Sequence, residues 1–128
     1  FVEVRFITGD KKGFGISKKR IVDDMNFKLD LVSTVKRLDW IKQRYPINKT
    51  VYMGDGILDC LVMDKVFYSI SPANGHELAK KSSNYITKCK GGDRAVAEAC
   101  LHIMKKFFKK FEPSKTIKNK NFSGSWKS

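Results

Sequence analysis

Apolar and polar residues alternate through Val2-Glu3-Val4-Arg5-Phe6-Ile7, the period of a half-buried strand, and the run stops at Thr8-Gly9-Asp10, a turn. The stretch from about 14 to 25 reads as a short helix with Phe14, Ile16, Ile21, Val22 and Met25 as its apolar stripe. Alternation returns at Phe27-Lys28-Leu29-Asp30-Leu31-Val32, a second strand. Ser33 or Thr34 offers an N-cap for a helix over about 35–45, where Leu38 and Ile41 share a face, and Pro46 stops it. Thr50-Val51-Tyr52-Met53 is a compact apolar strand running straight into Gly54-Asp55-Gly56. After it come a helix over about 58–64, a strand over 67–71, a turn at Pro72-Ala73-Asn74-Gly75 and a brief helix over 76–82. A short strand over 85–87, a turn at Gly91-Gly92 and the longest helix, over 94–110, complete the pattern.

Strands alternate with helices throughout, which predicts an α/β fold with a mainly parallel sheet covered by helices on both faces. The reading places one domain at 1–111 and a basic flexible tail at 112–128, where Phe122 and Trp126 are the apolar residues able to dock. Apolar residues make up 41% of the 128 positions, enough for a packed core, and no apolar run nears the about 18 residues of a membrane span. The three cysteines, Cys60, Cys89 and Cys100, cannot all pair within one chain and show no metal spacing. They read as reduced thiols of a cytoplasmic protein. The chain opens on Phe1 inside a strand, with no Met before it, and so reads as a fragment, a processed chain or one lacking its N-terminus.

A net charge of +13 raises the question of nucleic acid. Much of the excess sits in Lys105, Lys106, Lys109 and Lys110 at a helix end and in Lys115, Lys118, Lys120 and Lys127 of the tail. Such runs read first as solvated faces.

Ligands of open parallel sheets sit outside the carboxyl ends of the strands. Thr8 follows the first strand, Lys36 begins the helix after the second, and Asp55 and Asp59 follow the third. A hydroxyl, an ammonium and two carboxylates are equipment for a phosphate and a divalent cation. Mg²⁺ takes one or two carboxylates with waters, and lysine, hydroxyl and backbone N–H groups neutralise a phosphoryl group. Taken singly, Thr-Gly is an ordinary turn, and Asp55 or Gly56 could simply cap a helix. The order of the three segments is the more specific signal.

That order resembles the haloacid dehalogenase superfamily of phosphatases, in particular its capless 3-deoxy-manno-octulosonate 8-phosphate phosphatase-like group. The phosphatase-like C-terminal domain of CMP-sialic acid synthetase is similar too. Ile7-Thr8-Gly9 resembles the second family motif, which implies Thr8 and Gly9 at the phosphate. The strand before the third motif resembles 27–35, which implies Lys36 as the phosphate-binding lysine; Lys28, on the strand itself, fits less well. Gly54-Asp55 with Asp59 resembles the fourth motif and implies Asp55 as a Mg²⁺ ligand and Asp59 as a supporting carboxylate. Ser71-Pro72-Ala73-Asn74-Gly75 and Gly91-Gly92-Asp93-Arg94-Ala95-Val96 resemble further segments of the octulosonate phosphatase group, so the likeness spans about 4–102.

The resemblance implies a three-layer α/β/α sandwich, hydrolysis of a phosphorylated acidic sugar through an aspartyl-phosphate, and a homo-oligomer, a tetramer in capless members. Its first motif, Asp-x-Asp at the end of a first strand, is not in these residues: Asp23-Asp24 falls in a predicted helix and Asp10 follows the second-motif strand. The nucleophile is therefore not in this chain, and these residues alone are expected not to turn over. Gly-Asp-Gly stands where many relatives have Gly-Asp-Asp, and Asp93-Arg94 replaces the usual Arg-Gly. Two other readings compete: a degenerate, non-catalytic binding or oligomerisation module, and a basic module docking on RNA or a ribonucleoprotein through Lys105–Lys127. His76 and His102 read as structural or surface residues ahead of catalytic ones, Trp40 as a helix–sheet anchor, and Phe107, Phe108 and Phe111 as packing on the sheet or a neighbouring subunit ahead of gripping a membrane surface.

Overall fold

Among the described residues every strand pair is parallel, and the strands alternate with helices in the order the hydrophobic pattern predicts. The computed structural model describes residues 3–108 and falls into two compact units, Phe1–Ile47 and Asn48–Ser128. The predicted tail at 112–128, with Phe122 and Trp126, and Phe111 before it lie outside the described residues. The five strands form a two-stranded and a three-stranded sheet.

In the first unit β1 (Arg5–Thr8) pairs with β2 (Lys28–Leu31), Arg5 opposite Lys28 and Thr8 opposite Leu31. Arg5 reaches diagonally to Asp30 at 2.5 Å and donates to the Tyr45 hydroxyl at 2.9 Å. Between the strands runs α1 (Phe14–Lys18), continued by a π-helical turn over Lys19–Asp24. Asn26, at a left-handed φ of 59°, ends it, and the Phe27 N–H closes back on the Ile21 carbonyl at 2.9 Å. The apolar stripe expected here is only partly buried: Ile16 is 71% and Met25 50% exposed.

Helix α2 spans Arg37–Arg44 and buries Ile41. It begins later than expected and is not capped by Ser33 or Thr34. The Lys36 N–H bonds the Ser33 carbonyl at 3.1 Å, which spends that segment on a turn and leaves Lys36 as an N-cap without a side-chain cap bond. Tyr45 is extended, as a residue before proline must be, and closes the helix. Trp40 is half-buried rather than a core anchor: its ring lies under the Arg44 guanidinium at 4.4 Å and faces Arg5 at 5.6 Å.

The second unit is built on β3 (Val51–Met53), β4 (Tyr68–Ser71) and β5 (Tyr85–Ile86), with β4 in the middle. All four β4 residues are buried, as a strand covered on both faces requires. A 3₁₀ turn (Ile57–Asp59) and α3 (Cys60–Met63) follow β3, α4 (Glu77–Ser82) follows β4, and α5 (Ala95–Phe107) closes the unit. Ala95, Ala99, Ile103 and Phe107 recur every fourth residue, one face of a helix. The two alanines are buried, while Ile103 and Phe107 pack with Tyr68, Ile70 and Ala99. Full burial of Ile70 contributes about 2 kcal/mol by transfer alone. No helix among the described residues is long and apolar enough to cross a membrane.

The two histidines are structural. His76 caps α4, its Nδ1 accepting the Leu78 N–H at 3.1 Å. His102 shares a 2.7 Å hydrogen bond with the Tyr68 hydroxyl and stacks on Tyr85 at 3.6 Å; burial and Lys106 push its pKa down.

Candidate functional site

Of the residues singled out in the sequence, Thr8, Gly9 and Lys36 belong to the first unit and Asp55 and Asp59 to the second. At the carboxyl end of β1 the Thr8 hydroxyl oxygen accepts the Asp10 N–H at 3.2 Å. A hydroxyl used as an acceptor keeps its proton, so Thr8 can still donate to an anion. Asp10 turns back on its own loop, its Oδ1 accepting the Gly13 N–H at 2.9 Å. An open groove beside this turn is lined by Gly9, Lys11, Val32, Lys36, Trp40 and Arg44, so the structure brings Gly9 and Lys36 together. Lys36 is exposed and makes no ion pair among the described residues.

In the second unit the loop after β3 separates its two carboxylates by role. Asp59 is 5% exposed; its Oδ1 accepts the Tyr52 hydroxyl at 2.5 Å and its Oδ2 the Gly56 N–H at 2.8 Å. Gly54 is required beneath it, since a Cβ there would lie 2.5 Å from the Asp59 carboxyl carbon. Asp55 is exposed, and its carboxylate carries no hydrogen bond or ion pair among the described residues. Its backbone is held instead: the Asp55 carbonyl accepts the His76 N–H at 2.8 Å, and the Gly54 N–H donates to the Ile70 carbonyl at 3.2 Å.

The sequence reading missed what holds the segment after β5. Glu98, in the first turn of α5, accepts from the Lys88 and Cys89 N–H groups at 2.9 Å and from the Tyr85 hydroxyl at 2.7 Å. Burial opposes ionisation of Glu98, but these bonds, with one to the Cys89 thiol, outweigh it and hold the carboxyl at about 2. Asn74 accepts the Gly91 N–H at 2.6 Å. Partners this distant along the chain leave no local spacing to read.

No family model matches the chain. Over 56 residues it is 38% identical to the 3-deoxy-D-manno-octulosonate 8-phosphate phosphatase of Yersinia pestis, covering 44% of this chain and 30% of that enzyme. Its fold matches the cobalt-bound deoxy-D-mannose-octulosonate 8-phosphate phosphatase of Haemophilus influenzae with a TM-score of 0.72 at 21% identity, over 92% of this chain and 70% of that one. Over these stretches the chain is similar to haloacid dehalogenase phosphatases of the octulosonate phosphatase-like group. The Moraxella catarrhalis octulosonate 8-phosphate phosphatase, solved with magnesium, phosphate and the sugar acid, matches at a TM-score of 0.65 and 23% identity, over 81% of this chain and 61% of that one. The parallel α/β architecture predicted from the sequence is thus shared with these solved structures. The matched stretch spans under a third of the curated Yersinia relative.

Among the described residues no three His, Cys, Asp or Glu side chains gather as a metal cage. The donor set suits Mg²⁺ in part: Asp55 presents one free carboxylate, and Mg²⁺ fills most of its shell with water and substrate oxygens. Asp59 has both oxygens occupied by the loop, which fits support rather than ligation.

Proposed function

We propose that this chain supplies the phosphate- and Mg²⁺-binding part of a haloacid dehalogenase-type phosphomonoesterase acting on a phosphorylated acidic sugar, an octulosonate 8-phosphate or nonulosonate 9-phosphate. The observation that carries this reading is the loop after β3, where Asp59 and Tyr52 fix the backbone and leave Asp55 free. Thr8 and the Gly9 backbone would hold the phosphoryl oxygens, with the Lys36 ammonium offsetting their charge. Asp55 would be a protein ligand of the metal, which when bound neutralises phosphate charge and orients the ester. The sequence likeness to octulosonate 8-phosphate phosphatases and the fold shared with their solved structures support this substrate class. A homo-oligomer, the cytoplasm, and the division into a domain at 1–111 and a tail at 112–128 belong to the same proposal.

The reading is tested by calorimetric titration of the chain with Mg²⁺ and with inorganic phosphate. Mg²⁺ binding by the wild type that Asp55→Asn abolishes supports it; equal binding by both proteins removes Asp55 from the site. Phosphate binding should require Lys36, which Lys36→Ala tests.

A second reading is favoured by one sequence fact: these 128 residues contain no Asp-x-Asp. The chain would then bind Mg²⁺ and phosphate without turnover, as a ligand-binding or oligomerisation module. Release of phosphate from sugar phosphates by the 128 residues alone, lost in Asp55→Asn, would overturn it. For RNA docking, Lys105 and Lys106 are exposed on α5, while Lys109–Lys127 lie outside the described residues. A salt titration of RNA binding decides it, since phosphate neutralisation makes affinity fall steeply with salt.

A further inference from the structure

We infer that Asn74 is a positioning residue for Asp55, clamping the loop that holds the Asp55 backbone onto the segment before α5. The inference rests on the reading of Asp55 as a metal ligand. Its grounds are a chain of hydrogen bonds within the second unit.

The Asp55 carbonyl is fixed by the His76 N–H at 2.8 Å, so the direction of the Asp55 side chain depends on where the turn before His76 sits. That turn is tight: the Gly75 N–H bonds the Pro72 carbonyl at 3.0 Å. A Cβ on Gly75 would meet the Ser71 Oγ at 2.3 Å and the Asp55 Cα at 3.6 Å. Turn and Asp55 backbone are therefore packed against each other, and one cannot shift freely without the other.

The turn is tied in its turn to the segment beyond β5. The Asn74 Oδ1 accepts the Gly91 N–H at 2.6 Å across 17 positions of sequence, and the Ala73 N–H donates to the Cys89 carbonyl at 3.2 Å. The Cys89 carbonyl also accepts the Thr87 hydroxyl at 2.6 Å. Glu98 anchors the far side by accepting the Lys88 and Cys89 N–H groups from α5. Asn74 is the one side chain in the turn that makes such a crossing bond, and it is exposed, so its role is the tether rather than burial. Groups behind a metal ligand set its orientation, and their loss weakens the metal without touching it.

The test titrates the full chain with Mn²⁺, following the free ion by electron paramagnetic resonance, and measures amide exchange at His76 in parallel. Asn74→Ala removes the acceptor; Asn74→Asp keeps an oxygen for the Gly91 N–H. Asn74→Ala is expected to weaken Mn²⁺ about tenfold, the lower end of such effects, and to speed exchange at His76. Asn74→Asp is expected to restore His76 protection. Ile70, buried in β4, is the control for general loosening. Unchanged Mn²⁺ affinity and His76 exchange in Asn74→Ala overturn the inference, as does exchange that rises equally at Ile70. A wild type that binds no Mn²⁺ removes the reading of Asp55, and exchange at His76 then decides by itself whether Asn74 holds the loop.

Discussion

The chain uses the same dipeptide after two strands, Gly9-Asp10 after β1 and Gly54-Asp55 after β3, and puts it to opposite uses. After β1 the aspartate is consumed locally: Asp10 accepts the Gly13 N–H while Thr8 accepts the Asp10 N–H, so side chains of the turn satisfy the turn's own backbone. After β3 that work is done by Asp59, four residues on, and Asp55 is left facing solvent. The glycines differ in the same sense. A Cβ on Gly9 would find ordinary contacts at 3.5 Å, whereas one on Gly54 would overlap the bonded Asp59 carboxyl. Availability of a carboxylate for a ligand is decided by whether a second group has taken over the local backbone.

The largest effect that could break this contrast comes from removing the second loop's support. Asp59→Ala strips the acceptor from a buried tyrosine hydroxyl and from the Gly56 N–H, and should cost about 3 kcal/mol in urea unfolding. Gly54→Ala should fall in the same range by strain. A loss below about 1 kcal/mol in both would mean that the loop does not depend on Asp59.

Acid should separate the second unit next. Glu98 is held at about 2 in the fold against an ordinary 4.5, so the unfolded chain takes up its proton first as pH falls. Its stabilisation is complete above about pH 4.5 and drains away toward pH 2. Urea midpoints measured across that window should fall for the wild type and run flatter for Glu98→Gln, which starts from a lower value. Parallel slopes would assign the acid loss elsewhere.

In the first unit, Asp10→Ala removes a single exposed cap-like bond and should cost about 1 kcal/mol. The smallest changes sharpen the comparison most. Asp55→Asn should leave stability within about 0.5 kcal/mol while removing Mg²⁺ binding. Asp10→Asn should leave Mg²⁺ binding in place, and the reverse outcome would exchange the roles of the two turns.

The sequence made the α/β alternation legible because apolar and polar residues alternate into β1 and along β2, β3 is a short apolar run ending at Gly54-Asp55, and α5 repeats small and large apolar residues every fourth position. It left unread how Asp59 acts inside the loop, where its carboxylate, three residues beyond Gly56, reaches back to that N–H. It misplaced the start of α2, where Ser33 and Thr34 have the chemistry of caps but their carbonyls are spent on a turn. It overstated the apolar stripe of α1, where Ile16 stays in solvent. Glu98 and Asn74 were silent because their partners at Lys88, Cys89 and Gly91 are brought near only by the folded chain.

The all-parallel pairing has a consequence for how the chain reaches this fold. Arg5 meets Lys28, Val51 meets Tyr68 and Ile70 meets Tyr85, so each pairing among the described strands requires a crossover and none forms across a hairpin. Sheet formation cannot zip outward from a local turn; loop entropy must be spent before the first ladder bond is gained. The helices, α5 above all, are the segments whose backbone hydrogen bonds are local and need no such loop to close.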